Sequence, residues 1–147
     1  MLRELLALHD ATYLALRDME ELCKARAPDR SSLASARWKL TSGTVKRLRL
    51  IELEIYPAIL PTASLVERTQ LEHLAAERQE RRQASADHVA RWSLERAVTE
   101  WEGYKKASVT IRSGALARLN RERETLVPML DRLEQVSLGF RTNTAGR

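Results

Sequence analysis

SGTVKRLRLIELEIYP, residues 42–57, returns 71 residues later as SGALARLNRERETLVP, residues 113–128. Ser42/Ser113, Gly43/Gly114, Arg47/Arg118, Leu48/Leu119 and Pro57/Pro128 are identical, while Val45/Leu116 and Ile55/Leu126 are aliphatic in both copies. Ungapped agreement of this kind is the signature of an internal duplication. Between its glycine and its proline each copy has helical propensity, and proline cannot continue a helix. The two copies are therefore expected to form the last turns of two corresponding helices in an all-α, up-down-up-down four-helix bundle with a two-fold pseudo-repeat.

Working outward, apolar steps of three and four place a first helix at about Leu2–Ala25, with Leu2, Leu5, His9, Thr12, Leu16, Met19 and Cys23 on its buried stripe. Asp29 or Ser31 can cap a second helix, about Arg30–Tyr56, whose stripe is Leu33, Leu40, Arg47, Ile51 and Ile55. Ser64 and Glu67 form an S-x-x-E capping box for a third, running to about Ala90, with Val66, Thr69, His73 and Ala76 in line. The fourth starts near Ser93, with a competing cap at Thr99–Glu102. It continues to about Val127, with Tyr104, Ser108, Ile111, Ala115, Arg118 and Glu122 facing inward. Residues 1–133 make up the bundle, and 134–147 are read as a polar, flexible tail.

The chain has 147 residues, enough for one domain with a core of its own. Its single cysteine, Cys23, excludes an intrachain disulfide, and no leader or membrane-length apolar run is evident, so a soluble, cytoplasmic protein is expected. The net charge of +5 raises nucleic-acid binding. Acidic residues are nevertheless interspersed with the basic ones, as in Glu77-Arg78-Gln79-Glu80-Arg81-Arg82, which is the pattern of solvated helix faces and disfavours that class. Phosphate loops, Cys-x-x-Cys pairs and nucleophile elbows are absent from the sequence, and no enzymatic activity is expected. His88 reads as a surface residue, and Trp38, Trp92 and Trp101 as core or interface anchors.

Each stripe carries a polar residue near mid-helix: His9, Arg47, His73 and Arg118. The His-to-Arg intervals, 38 and 45 residues, repeat the duplicated layout. In an antiparallel bundle such positions meet at the centre.

With these residues in place the chain resembles the haemerythrin-type domain, the HHE cation-binding family, over roughly Leu2 to Leu130. That family shows a histidine in the first helix and H-x-x-x-E before an aliphatic/aromatic-proline stop in the second, a pattern repeated in helices three and four. The most specific match is Glu52-Leu53-Glu54-Ile55-Tyr56-Pro57 with Arg123-Glu124-Thr125-Leu126-Val127-Pro128. The resemblance implies ligand positions at His9 and His73, at Arg47 and Ile51, and at Arg118 and Glu122. Three of the six keep a ligand type. Guanidinium has no lone pair to offer a metal and stays protonated, and two such charges at about 5 Å repel a dication by several kcal/mol. Loss of the di-iron site is therefore expected.

The expected function is a non-catalytic regulatory or ligand-binding domain whose core arginines replace the metal's charge. Its bundle-centre site comprises Arg47, Arg118, His9, His73, Glu122, Gly43 and Gly114, with the glycines leaving room beside the guanidinium groups for a small anionic ligand. A salt-bridge network would instead pair Glu122 with Arg47 or Arg118 and leave the other arginine to Asp10 or Glu54. No cofactor is expected. The alternative is a single iron or zinc ion held by His9, His73 and Glu122. A third reading is a helical module that binds a protein partner, or a second copy as a homodimer, through an exposed face.

Overall fold

A computed structural model of the chain describes the backbone of residues 1–144 and the side chains of residues 1–141. The described residues are all helix, turn or loop: α1 (Leu2–Cys23), α2 (Arg30–Leu50), a π turn (Ile51–Ile55), α3 (Tyr56–Ile59), a 3₁₀ turn (Leu60–Thr62), α4 (Leu65–Arg91), α5 (Leu94–Thr99) and α6 (Trp101–Thr144). None of these helices is long and apolar enough to cross a membrane.

The capping chemistry acts where the sequence puts it. Asp29 accepts from the Ser32 N–H, the Ser64/Glu67 box closes in both directions, and Ser93 accepts from the Arg96 N–H. Ser93 caps the short α5, the chain breaks at Glu100, and α6 begins at Trp101, while the Thr99 hydroxyl donates back to the Glu95 and Arg96 carbonyls.

The prolines behave differently from expectation. Pro57 does not end the second helix. It lacks the N–H that would reach Leu53, and its ring would crowd that carbonyl, so the ladder opens one residue wider and the Tyr56 N–H reaches the Ile51 carbonyl instead. The helix then continues into α3. A stripe spaced by fours drifts about 40° per step on an α-helix. The wider turn rotates less per residue and offsets that drift, and Ile51, Ile55 and Ile59 all remain buried. Pro128 is simply overrun: α6 passes through it and extends for 44 residues. The expected flexible tail at 134–147 is thus helical as far as Thr144, and residues 145–147 lie outside the described residues.

Contacts between elements fix their direction. On α1 and α6 the partners are Leu2 with Glu134, His9 with Glu122, Tyr13 with Asn120 and Cys23 with Ser108, so the two helices are antiparallel. α4 opposes α6 in the same sense through Glu67 with Arg132 and Glu77 with Arg121. α1 packs along α2, whereas α2 and α4 stand apart, bridged by long side chains. The result is a helical bundle with one open seam.

Its apolar core is divided. One cluster, at the Pro57 end, gathers Leu5, Ile51, Ile55, Leu71, Leu126 and Leu130. The other, at the α5 end, gathers Met19, Leu33, Trp92, Ala97, Trp101 and Tyr104. Between them lies a buried polar layer of His9, Thr12, Arg47, Ser108, Arg118 and Glu122.

If α6 is helical through residue 128, Pro128→Ala restores a backbone hydrogen bond and relieves the clash with the Glu124 carbonyl. The substitution is expected to stabilise the protein by about 1–3 kcal/mol in urea unfolding. An unchanged or lowered midpoint would mean that the helix ends there.

Candidate functional site

The polar layer is built on one carboxylate. Glu122 and His9 are 0% exposed, Arg118 3% and Arg47 6%. Glu122 Oε1 accepts from Arg118 Nε at 3.1 Å and from Arg47 Nε at 3.3 Å, and Arg47 Nε also lies 2.9 Å from Oε2 as an ion pair. His9 Nε2 lies 3.0 Å from Oε2. A carboxylate only accepts, so Nε2 carries the hydrogen and the buried Nδ1 is left without a partner. Burial pushes the Glu122 carboxyl up, but the His9 hydrogen bond and the Arg47 and Arg118 charges outweigh it and hold the group below its ordinary value. Arg118 also donates to the Leu74 carbonyl at 2.5 Å and approaches Glu77 at 3.5 Å, a carboxylate shared with Arg121.

The expected network named one arginine for Glu122 and Asp10 or Glu54 for the other. Glu122 takes both. Asp10 faces Arg123 at 3.9 Å, and Glu54 is exposed. One buried negative charge between two buried positive ones leaves the layer cationic, and Arg47 Nη1 and Arg118 Nη2 are buried without a hydrogen-bond partner.

Arg47 and Arg118 also line a cavity of about 720 Å³ that fills the seam between α2, α4 and α6, with α1 as its floor. Eight arginines line it, against one carboxylate, Glu52. Glu52 is itself held by Arg78 at 3.2 Å and Arg82 at 3.0 Å. Arg78 and Arg37 each keep one buried N–H without a partner. Between the arginines the wall is aliphatic, with Leu16, Leu40, Leu48, Ile111 and Leu119 prominent.

Several expected site residues sit elsewhere. His73 is exposed, as are Val66, Thr69 and Ala76, so the whole expected third-helix stripe faces outward. Leu71 and Leu74 bury the neighbouring face instead, and one residue along a helix rotates a side chain by about 100°. Gly43 does not flank Arg47: a Cβ there would meet Thr12 Oγ1 at 3.6 Å, an ordinary packing contact. Gly114 gives room to Arg81 rather than Arg118, since a Cβ would lie 1.7 Å from Arg81 Nη1.

His88 is not a surface residue. It is half-buried, 5.9 Å from the Tyr104 ring, and burial followed by the Arg37 charge lowers its pKa, so it adds no cation near neutral pH. Of the tryptophans, Trp92 and Trp101 pack in the core and Trp38 is exposed.

Comparison with family models, with curated proteins and with solved structures finds no match. The donor set must speak for itself. A di-iron centre needs imidazoles and bridging carboxylates, and the layer offers one of each beside two guanidinium groups and Ile51. It does not fit such a centre. The alternative set of His9, His73 and Glu122 is not assembled either, because His73 lies on the outside. Among the described residues no three His, Cys, Asp or Glu side chains converge on one point.

The cavity arginines on α4 were missed in the sequence, where Glu77–Arg82 reads as a solvated charge run. A usable signal was present: Leu71, Leu74, Arg78, Arg81, Ser85 and His88 follow one another at steps of three and four. Arg78, Arg81 and Arg82 thus prolong the leucine face rather than oppose it.

Removing Glu122 leaves buried Arg47 without a counter-charge and Arg118 with only Glu77 at 3.5 Å. Glu122→Ala is expected to cost about 3–5 kcal/mol in denaturant unfolding. Because the Glu122 carboxyl is held below 4.5, its contribution to stability is complete above that pH. It is lost as the pH falls through the lowered folded value. Glu122→Gln should therefore flatten the acid limb of the stability-versus-pH curve, and an unaltered limb would contradict the pairing.

Proposed function

We propose that this chain is a non-catalytic ligand-binding domain that takes an anion in the arginine-lined seam of its bundle. In this reading it is a haemerythrin-like, internally duplicated frame in which fixed organic cations stand at former metal-ligand positions. The observation that carries the proposal is a pair of buried arginines, Arg47 and Arg118, that line a large cavity and each keep one guanidinium nitrogen without a partner. An uncompensated buried donor costs about 1–3 kcal/mol, more when charged, and an anion arriving from the cavity relieves it by charge-assisted hydrogen bonds. The volume of about 720 Å³ is that of a ligand pocket. The repeat reading is supported by paired burial: Arg47 with Arg118, and Ile55 with Leu126, occupy equivalent interior positions 71 residues apart.

Thermal unfolding against inorganic phosphate and short carboxylates provides the test. A ligand at 100 times its Kd should raise stability by about 2.7 kcal/mol. Arg47→Met and Arg118→Met should abolish that response. The triple variant R47M/R118M/E122L replaces the buried ions by apolar groups and is expected to be as stable as the wild type or more so, because such replacements are often neutral or stabilising. It should nevertheless be unresponsive. If no anion stabilises the wild type, or if the triple variant responds equally, the reading is wrong.

A further inference from the structure

The cavity is not shaped or lined for a compact anion alone. Along α6 its wall runs from Tyr104 to Leu119, about 22 Å of helix, far longer than a phosphate or a small di-acid needs. Its cations and its apolar surface are arranged in sequence. Toward the Pro57 end stand Arg47, Arg78 and Arg118, each with a buried N–H lacking a partner. Away from them the surface passes over Leu119, Ala115, Ile111, Leu40 and Leu16 to Met19 beside the aromatic core cluster. There Arg112 is engaged by Ser108, and Arg37 donates to the Trp92 carbonyl with one N–H left unpartnered.

The remaining polar groups discriminate further. Apart from arginine, Glu52, His88 and Tyr104, the wall offers hydroxyls such as Thr12, Thr44, Ser85 and Ser108. Among the described residues lining it there is no Asn, Gln or Asp. An adenine edge is read bidentately by Asn or Gln, and this wall supplies neither. An aliphatic chain needs no polar partner along the Leu119-to-Leu16 stretch of that wall.

We infer that the ligand is an amphipathic anion, a carboxylate or phosphate head held by Arg47, Arg78 and Arg118 with an extended aliphatic chain lying along the seam toward Met19. This rests on the anion-binding reading above and adds the chain. The head completes the orphaned guanidinium groups, and the chain covers the aliphatic wall that the separation of α2 and α4 leaves unpacked. Gly114 contributes by letting the Arg81 guanidinium lie against α6 at the cavity wall, where a methyl group would displace it.

Calorimetric titration with alkyl carboxylates and alkyl phosphates of four to twelve carbons, below their micelle concentrations, tests this on the full chain. Inorganic phosphate and alkyl trimethylammonium ions serve as comparators. Each added methylene is expected to tighten binding about fourfold, the worth of one buried CH₂, until the chain fills the seam. The relative affinity of the two series identifies whether the head is a carboxylate or a phosphate. Arg47→Met should weaken every chain by at least tenfold while keeping the length dependence. Leu40→Gln and Ile111→Gln should reduce the length dependence and leave inorganic phosphate unaffected. Gly114→Ala should weaken the head without lowering thermal stability, since alanine is the better helix former.

Arg47-dependent phosphate binding with no dependence on chain length would overturn the amphipathic ligand and leave the anion reading standing. Absence of any Arg47-dependent anion binding would overturn both. Equal binding of the alkyl trimethylammonium series would also overturn both, because the site would then be selecting the chain without the charge.

Discussion

A single carboxylate joins the elements of this bundle. Glu122 on α6 holds His9 on α1 and Arg47 on α2, and it shares Arg118 with the α4 backbone at Leu74. Each partner comes from a different helix or a different turn, so the relative placement of all four long helices is recorded in the geometry around two oxygen atoms. Hydrogen bonds of this kind are directional, and a buried charge that misses its partner is costly. Apolar packing tolerates sliding by a fraction of an ångström; this layer does not. The register of the bundle is accordingly set at its polar level, with the two apolar clusters filling in above and below.

The same arrangement explains why the seam stays open. Two guanidinium groups are each satisfied only in part by one carboxylate, and one nitrogen of each stays buried without a partner. Closing α2 onto α4 would drive Arg78, Arg81 and Arg82 toward Arg47 and Arg118 with only Glu52 between them. Repulsion among desolvated like charges opposes that closure, because screening is weak where water is excluded. The gap between the helices is thus a property of the charge pattern as much as of helix shape.

Much of this was legible in the sequence, and the limits have physical causes. α1, α2 and α6 carry enough leucine and isoleucine at steps of three and four to declare their buried faces, and His9, Arg47, Arg118 and Glu122 fall on those faces. α4 has only Leu71 and Leu74 buried along 27 residues. With so weak a stripe, Val66, Thr69, His73 and Ala76, also at steps of three and four, read as the inner face, and all four are exposed. The prolines misled for another reason. Their local rule is sound, but it competes with packing: Ile59 beyond Pro57 and Met129 and Leu130 beyond Pro128 are buried, and burying them favours continued helix. The cavity was invisible because it arises from what α2 and α4 fail to do, and a failure to pack leaves no pattern in either strip of sequence.

The division of the core has a consequence for how the molecule comes apart. Met19, Leu33, Trp92 and Tyr104 form one half and Leu5, Ile55, Leu71 and Leu126 the other, with no continuous apolar column between them. Regions separated in this way open as semi-independent units, each with its own free energy. A chain-like occupant of the seam would touch the half that holds Met19 and Tyr104, and the polar layer, but no residue of the other half. Occupancy would then stabilise one melting unit more than the other, spreading the two openings further apart in temperature.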